Sequence, residues 1–378
     1  MDLDWRSTFL LLTGVPALLA AGMAMLRSPE RLAARLFFAL IAAWVLMTMP
    51  YIIGFSGAYD AYPGLTFAPF NTELWIGPLW WLHIRALTGP GLPRRWWLWL
   101  APGLVQTTYY TVCFFALGPW QAKFAFNDAV HEPYIMVVET FVGLALITYA
   151  AIAGAQASRR YHGWIDREHA NRERIDLVWL QRGGVIIAGI AAVWVINDLV
   201  QLATGRFPYS IDFYVYAGVG VVALYMALDA LSRADRRLPK MPAAGQAGLE
   251  AAQPEAVEPS VDLEALKHRV HQGGWYADPD LTLEQLSRHL AVNKRTLSRW
   301  LNSSDGGGFS HFINGLRVEA VCAALHENGL SSNLLMLALD CGFGSKATFN
   351  RAFKAHTGMT PRAWIASHRG PSGVQEAV

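Results

Sequence analysis

The apolar positions of this chain follow two different patterns, and the change from one to the other falls near residue 240. Between residues 8 and 231 they form seven long runs, whereas beyond residue 260 they recur every three or four positions in short segments. About 20 apolar residues in a helix can cross the ~30 Å hydrocarbon core of a bilayer, and short segments with a 3.6-residue period are typical of amphipathic helices. The sequence therefore predicts an all-α protein, a seven-transmembrane-helix bundle followed by a smaller helical domain.

The seven runs are all near or above the ~17 residues that a spanning helix needs. They comprise residues 8–26, 33–54, 71–87, 96–117, 134–157, 180–202 and 211–231. The third run is the shortest and contains Gly77-Pro78, which predicts a kink because proline interrupts helical hydrogen bonding. Each run is predicted to form one membrane-spanning helix.

Basic residues are distributed unevenly over the loops between these runs. Clusters of arginine follow the first, third, fifth and seventh runs, whereas the opposite side holds only Arg6, Lys123 and Arg206. An excess of lysine and arginine marks cytoplasmic loops. The pattern therefore predicts that the N-terminus lies outside the cell and that the C-terminal domain lies in the cytoplasm.

The composition excludes several classes of site. Of the 378 residues, 53% are hydrophobic and 16% are charged, which is more apolar than an average soluble protein. The three cysteines lack the paired spacing of a disulfide framework or a zinc site. No HExxH, GxSxG or P-loop pattern is present. We therefore expect no metal, no cofactor and no enzymatic activity.

Acidic residues inside the apolar runs are candidates for function, because a carboxylate in the membrane is costly. Glu73, Glu139 and Asp198 fall toward the outer ends of their runs, and Asp212 opens the seventh run from the same side. We expect Glu73, Glu139 and Asp198 to line an outward-facing pocket for a small-molecule or ionic signal. The alternative for Glu73 and Asp212 is that they stabilise helix N-termini. The alternative for Glu139 and Asp198 is that they are polar residues that serve only in packing. The cationic residues nearest in sequence to Glu139 and Asp198 are His131 and Arg206.

Six tryptophans surround the third and fourth runs, namely Trp75, Trp80, Trp81, Trp96, Trp97 and Trp99. Tryptophan is enriched where helices meet the membrane–water interface, so the cluster predicts an interfacial belt. The alternative is an aromatic cavity in which a ligand stacks.

A polar segment separates the two hydrophobic patterns. Residues 238–260 are rich in proline, alanine, glycine and glutamate and lack apolar periodicity, which is typical of a flexible linker. We therefore divide the chain into a transmembrane domain over residues 1–237, this linker, a helical domain over residues 261–370 and a disordered tail over residues 371–378.

Two predicted helices in the helical domain can be superposed. Placing Lys294 on Lys346 aligns Leu297 with Phe349 on one apolar face. The opposite faces are polar and basic, with Lys294, Arg295, Ser298 and Arg299 in the first helix and Lys346, Ala347, Asn350, Arg351 and Lys354 in the second. One basic amphipathic helix is usually only a solvated surface, but two in the same register, each after a shorter helix and a turn, are typical of helix-turn-helix units. Residues 285–369 carry ten lysines and arginines against four aspartates and glutamates, which suits a phosphate surface.

Residues 262–367 resemble the DNA-binding domain of AraC/XylS-type transcription regulators. The resemblance is carried by "LTLEQLSRHLAVNKRTLSRWLN", "FINGLRVEA" and above all "ALDCGFGSKATFNRAFKAHTGMTP". It implies two helix-turn-helix units joined by a long helix, with double-stranded DNA as the partner. It also implies that base edges are reached by Arg295, Ser298, Arg299, Lys346, Ala347, Asn350 and Arg351. Lys294 and Lys354 are better placed for phosphates, which position a protein on DNA without specifying a sequence.

The chain departs from the family pattern at Leu335 and Met336, where the family usually has at least one polar residue. These side chains are either surface positions without consequence or part of an interface with a partner or the membrane.

A second resemblance links the membrane half to the same family. The stretch "GPLWWLHIRALTGP" resembles a multi-span region that is fused to this domain in some bacterial regulators. Together the resemblances imply a membrane-embedded, one-component regulator in a bacterial inner membrane, with RNA polymerase and a second copy of the chain as further candidate partners. The alternatives are a transporter or channel with a DNA-binding autoregulatory tail, and a membrane enzyme.

Overall fold

The computed structural model describes residues 4–89, 91–170, 178–204, 209–242, 263–304, 307–328 and 333–368. Apart from one isolated β-bridge, these residues form no strand, so the predicted all-α class is confirmed for them. The chain divides into two compact units, of which the first comprises Met1–Arg159 and Val178–Pro242 and the second comprises Arg160–Leu177 and Ala243–Val378. The predicted linker beyond residue 242 and the predicted tail lie outside the described residues.

Ten α-helices are described up to residue 242. They are α1 (Trp5–Arg27), α2 (Arg31–Met47), α3 (Met49–Phe55), α4 (Ala58–Ala61), α5 (Glu73–Thr88), α6 (Ala101–Ala116), α7 (Trp120–Phe126), α8 (Val137–Glu168), α9 (Val178–Thr204) and α10 (Tyr209–Ser232). Two 3₁₀ segments, Pro63–Leu65 and Trp96–Leu100, precede α5 and α6, and a π-helical segment, Asn127–Met136, joins α7 to α8. The end of α8, from Arg160 onward, belongs to the second unit.

Small side chains bring α1 and α10 close together. On α1, Ala17, Ala20 and Ala21 are at most 2% exposed. A Cβ on Gly220 of α10 would meet the Thr13 hydroxyl oxygen of α1 at 2.5 Å. Small residues allow two helix backbones to approach in this way, which is the usual means of packing helices in a bilayer.

Most side chains of α5 are buried in the first unit. Ile76, Trp80 and Leu82 are at most 1% exposed. Gly77 faces α8, and a Cβ at this position would meet the Leu146 carbonyl oxygen at 2.8 Å. Trp80 is thus a core residue. Neither hypothesis for the tryptophan cluster, an interfacial belt or a cavity in which a ligand stacks, predicted this position.

Four helical stretches within the described ranges are long and apolar enough to cross a membrane. They are Trp5–Arg27, Arg31–Phe55, Trp120–Glu168 and Asp212–Ser232. The third and fourth predicted spans form the 16-residue helices α5 and α6, which at 1.5 Å per residue are each ~24 Å long. Several side chains of α9 lie outside the described part. The count of seven spans and their orientation stay predictions.

The second unit contains seven α-helices and one 3₁₀ segment in its described part beyond residue 262. They are α11 (Leu263–Gln272), the 3₁₀ segment Trp275–Ala277, α12 (Leu283–Leu290), α13 (Lys294–Ser304), α14 (Gly308–Asn328), α15 (Leu334–Asp340), α16 (Lys346–Thr357) and α17 (Pro361–His368). The first half of α14 contributes Phe309 and Ile313 to a hydrophobic cluster with α12 and α13. Its second half contributes Val318 and Val321 to another cluster with α15, α16 and α17. One long helix therefore joins two small cores, as the resemblance implied.

Capping residues mark the ends of several helices in this unit. Thr282 and Gln285 form the capping box that begins α12. The Asn293 side chain accepts a hydrogen bond from the Arg295 N–H at 2.8 Å and caps α13. Gly358 ends α16 in the left-handed conformation, with φ of 75°. Local capping chemistry thus sets where these helices begin and end.

Candidate nucleic-acid interface and acidic cavity

The second basic helix, α16, turns all of its predicted DNA-contacting residues toward solvent. Its apolar residues Phe349 and Phe353 are at most 1% exposed and pack in the second core. The exposed residues on the other face are Lys346, Ala347, Asn350, Arg351 and Lys354. Burial of one apolar stripe therefore fixes the rotation of α16 so that its basic face points outward.

A groove of about 710 Å³ runs along this basic face. Its lining includes Lys346, Asn350, Arg351 and Lys354 from α16 and Arg362 from α17. Four cationic side chains and one amide supply the donors that phosphate oxygens and base edges accept. Arg362 was missed by sequence analysis because it lies in the next helix, outside the superposed pair.

The apolar residues that depart from the family pattern have different surroundings. Leu335 is 40% exposed and lines the groove beside Lys346. Met336 is 53% exposed, and it is not among the residues that line this groove. Leu335 is therefore the one of the two that lies next to the predicted DNA-contacting face.

The first basic helix, α13, also buries its apolar face and exposes basic residues, but its surroundings differ from those of α16. Leu297 is fully buried, while Arg295 and Arg299 are exposed and Ser298 is half-buried. Lys294 pairs with Glu168, the last residue of α8, with 2.8 Å between Lys294 Nζ and Glu168 Oε2. One predicted phosphate-contacting cation therefore already has a carboxylate partner.

A buried arginine connects α14 to the start of the domain. Arg317 is fully buried, and its Nε donates to the Tyr276 carbonyl at 2.7 Å while Nη2 donates to the Asp278 carbonyl at 2.8 Å. Nη1 donates to Asn314 Oδ1 at 3.3 Å. Burial lowers the pKa of Arg317 to about 10, so the guanidinium is still charged at neutral pH. Its charge is used to hold backbone carbonyls, and it is not available for DNA.

Glycine is required in the turn between α15 and α16. Gly342 has φ of 91°, and a Cβ there would meet the carbonyl oxygens of Tyr276 and Ala277 at 2.7 Å. In the turn between α12 and α13, Ala291 has φ of 56°. The second turn therefore approaches the backbone that Arg317 holds, at a distance that only glycine allows.

Comparison with known proteins identifies this region. Residues 286–367, about a fifth of the chain, match the family model described as a helix-turn-helix domain. Residues 286–367 form a helix-turn-helix domain. The match includes α12 from Leu286 onward together with α13, and the whole of the second turn-connected pair, α15–α16, as the resemblance to AraC/XylS-type regulators implied.

Two known regulators each contain a segment of similar sequence and of about the same length as this domain. An uncharacterized HTH-type transcriptional regulator of Staphylococcus aureus (strain MSSA476) is 36% identical over 85 residues, 22% of this chain and 11% of that protein. The HTH-type transcriptional regulator CdhR of Pseudomonas aeruginosa is 30% identical over 86 residues, 23% of this chain and 25% of that protein. The chain thus spans about a tenth and a quarter of the lengths of these relatives. No solved structure matches it significantly.

The first unit contains a cavity of about 360 Å³ that brings two of the predicted pocket residues together. Glu73 of α5 and Glu139 of α8 both line it, and Asp212 of α10 supplies a third carboxylate. Asp198 belongs to α9, and its side chain lies outside the described part. Asp212, which sequence analysis left out of the pocket, is therefore a lining residue.

Aromatic side chains form much of the remaining wall, namely Tyr51, Tyr59, Phe67, Tyr110 and Tyr216. Glu139 is 7% exposed and accepts a hydrogen bond from the Tyr110 hydroxyl at 3.1 Å. His131 Nε2 lies 3.3 Å from the same hydroxyl. Glu139 and His131 are thus connected through Tyr110. None of the six clustered tryptophans is among the described lining residues.

Proposed function

We propose that this protein is a membrane-embedded, one-component transcription regulator that binds DNA sequence-specifically. The observation that carries the proposal is the basic face of α16, a helix of a helix-turn-helix domain whose predicted DNA-contacting residues are all exposed. Arg351 suits guanine O6 and N7, and Asn350 suits adenine. Lys354 suits a phosphate. Contacts of both kinds are what a sequence-specific reader requires.

DNA binding is tested with the full chain purified in detergent micelles and a pool of genomic DNA fragments. We expect the bound fragments to share a recurring motif. We also expect affinity to fall steeply between about 50 and 200 mM salt, because phosphate contacts release counterions. Absence of binding at low salt, or binding without sequence preference, would contradict the proposal.

The surface of the first unit supports its insertion in a bilayer. While α1 buries its alanines, its large apolar residues Leu12, Leu19 and Leu26 are 66%, 63% and 81% exposed. Large apolar side chains outside and small ones inside suit a helix with one face toward lipid and the other toward neighbouring helices. We place the protein in the bacterial inner membrane with the helix-turn-helix domain in the cytoplasm. Sedimentation with carbonate-washed membranes, and protection of the C-terminus from protease added to spheroplasts, test this placement.

The acidic cavity is the site that we propose for the signal, and a small cation such as a protonated amine is the ligand class that suits it. Three carboxylates and five aromatic rings line the cavity, and its described lining residues include no lysine, arginine or histidine. Carboxylates attract an ammonium group, and aromatic faces bind cations. A volume of about 360 Å³ is within the range of small-molecule pockets.

The signal site is tested by Glu139→Gln, which keeps the shape of the side chain and removes its charge. We expect this variant to hold a reporter of a target promoter in one state under conditions that switch the parent. Glu132→Gln is the matched control, because Glu132 is exposed and outside the cavity lining. A Glu139→Gln protein that is present at the parent level and switches as the parent does would contradict a role for this cavity.

A further inference from the structure

The chain that continues from α8 packs against the helix-turn-helix domain within the second unit. Ala170 is 1% exposed and belongs to the hydrophobic cluster of the first helix-turn-helix unit. Its carbonyl oxygen accepts hydrogen bonds from Ser310 Oγ at 3.2 Å and Asn314 Nδ2 at 3.3 Å. Its N–H donates to the Leu281 carbonyl at 3.4 Å. Both backbone groups of Ala170 are therefore bonded to the domain.

The residues before Ala170 continue this contact toward α13. His169 forms an antiparallel β-bridge with Thr282. Burial lowers the pKa of His169 below its usual 6.5, so its ring adds no positive charge at neutral pH. Glu168 then pairs with Lys294, and the two side chains are 16% and 28% exposed. A pair that is this shielded from water is stronger than a fully solvated surface pair.

A second acidic residue of the same segment lines a cleft together with α16, which with α13 forms the pair of predicted recognition helices. Asp166 lines a cleft of about 410 Å³ whose other wall includes Arg351 of α16. His311 and His356 also line this cleft. Residues 165–170, which we call the docked segment, thus bring one carboxylate to Lys294 and another to the cleft that contains Arg351.

We propose that the docked segment competes with DNA for the helix-turn-helix domain. Glu168 takes the place of a DNA phosphate on Lys294, at the N-terminal end of a recognition helix, which is the end that enters the major groove. Release of the segment returns Lys294 to DNA. This inference rests on the proposed DNA-binding function. It also connects the two candidate sites, because α8 carries Glu139 in its first turn and Glu168 at its last residue.

The decisive experiment locks the segment in place in the full chain. Residues opposed in an antiparallel bridge have Cα atoms ~4.5–5.5 Å apart, within the range that a disulfide spans. The double variant His169→Cys with Thr282→Cys is purified in detergent, and its DNA affinity is measured oxidised and after reduction. We expect the oxidised form to bind at least about tenfold more weakly than its own reduced form. The parent, with Cys113, Cys322 and Cys341, is treated identically and controls for the native thiols.

The outcomes separate this inference from the proposed function. Equal affinities of the oxidised and reduced forms, with the disulfide verified by mass spectrometry, would overturn the competition. Failure of the pair to oxidise would also contradict it, because His169 and Thr282 would then not be neighbours. A parent that binds no DNA at all would instead contradict the proposed function itself.

A charge variant tests the same competition without a cross-link. Glu168→Gln keeps the shape of the side chain and removes the carboxylate charge that pairs with Lys294. We therefore expect DNA affinity to rise about three- to fivefold, as an ion pair worth up to ~1 kcal/mol allows. Glu284→Gln is the matched control, because Glu284 pairs with Arg288 at 3.2 Å on the same domain, whereas the partner of Lys294 is Glu168. Equal effects of the two substitutions would show a general charge effect and would overturn the role of Glu168.

Discussion

The two recognition helices, α13 and α16, have the same residue pattern in different surroundings. Each buries two apolar residues four positions apart, Leu297 and Leu301 in α13 and Phe349 and Phe353 in α16, all at most 3% exposed. The cations of α16 line an open groove, whereas Lys294 of α13 is paired with Glu168. Equal local patterns therefore do not give two helices equal surroundings, because a residue from elsewhere in the chain, here Glu168, can pair with a cation of one of them.

The turns that precede the two helices differ as well. Three residues separate α12 from α13, and five separate α15 from α16. In the first turn Ala291 adopts the left-handed conformation with φ of 56°. In the second, the carbonyls of Tyr276 and Ala277 leave no space for a Cβ on Gly342. The first turn is thus only strained by a side chain, while the second excludes one.

The largest effect that we expect comes from Gly342→Ala. A non-glycine residue in the left-handed region costs ~1–2 kcal/mol, and the clash with two carbonyl oxygens adds to this, so the free energy of unfolding should fall by about 3 kcal/mol or more. Protease resistance of the full chain across a urea series measures the loss. Gly358→Ala is the control, because Gly358 has φ of 75° and open space around it. Equal losses of unfolding free energy for both variants would contradict the close approach of the second turn to the Tyr276 and Ala277 carbonyls.

The next effect concerns α16, whose cations line the groove. Arg351→Ala should weaken binding to the specific site about 10- to 100-fold, since a bidentate base contact is worth ~1–3 kcal/mol of discrimination. Binding to random DNA should change much less. Lys354→Ala should instead weaken both by similar factors, because a phosphate contact is not sequence-specific. Titrations with specific and random duplexes would contradict this division if both variants kept the same specificity ratio.

A smaller effect is expected in α13, where Lys294 is paired with Glu168. Arg295→Ala should weaken specific binding about three- to tenfold, less than Arg351→Ala, because the docked segment limits how fully α13 engages DNA. In a Glu168→Gln background the loss of affinity caused by Arg295→Ala should increase, because release of the docked segment lets α13 engage DNA more fully. The effects of the two substitutions are then not additive. The same duplex titration on four proteins completes this cycle. An identical loss in both backgrounds would show that Glu168 and α13 are independent.

The smallest effect is the reverse substitution in the first turn. Ala291→Gly relieves ~1–2 kcal/mol of left-handed strain but raises the entropy of the unfolded chain by ~0.5–1 kcal/mol. We therefore expect a net stabilisation of about 0.5 kcal/mol in the same urea series. A loss of stability would mean that the Ala291 side chain contributes packing that outweighs its backbone strain.

Much of the helix-turn-helix domain was predictable from local sequence. The caps at Thr282 and Asn293 and the helix end at Gly358 depend on contacts within a few residues, so they can be predicted from the sequence. Hydropathy was less accurate in the first unit, where the run 96–117 forms a helix only from Ala101. An apolar run records how much of a segment avoids water, and it does not record where the helix starts. Here Pro102 favours a helix start, and the aromatic residues before it form a 3₁₀ segment.

The candidate cavity was predictable only in part. An acid inside an apolar run marks a costly position, and that reasoning found Glu73 and Glu139, both of which line the cavity. It did not find Asp212, which has an equally good local explanation as a helix N-terminal residue. Local pattern cannot separate these two roles, because lining a cavity depends on which helices are neighbours.

The sequence by itself determined the helical class, the capped helix ends of the helix-turn-helix domain and the basic faces of α13 and α16, because periodicity and capping act over a few residues. Only the tertiary structure decided that Ala170 bonds to Ser310 and Asn314, residues 140 and 144 positions away. It also decided that Glu168 forms an ion pair with Lys294. Contacts of such long range arise when separate elements pack into one core, and no local pattern of residues specifies which elements will meet.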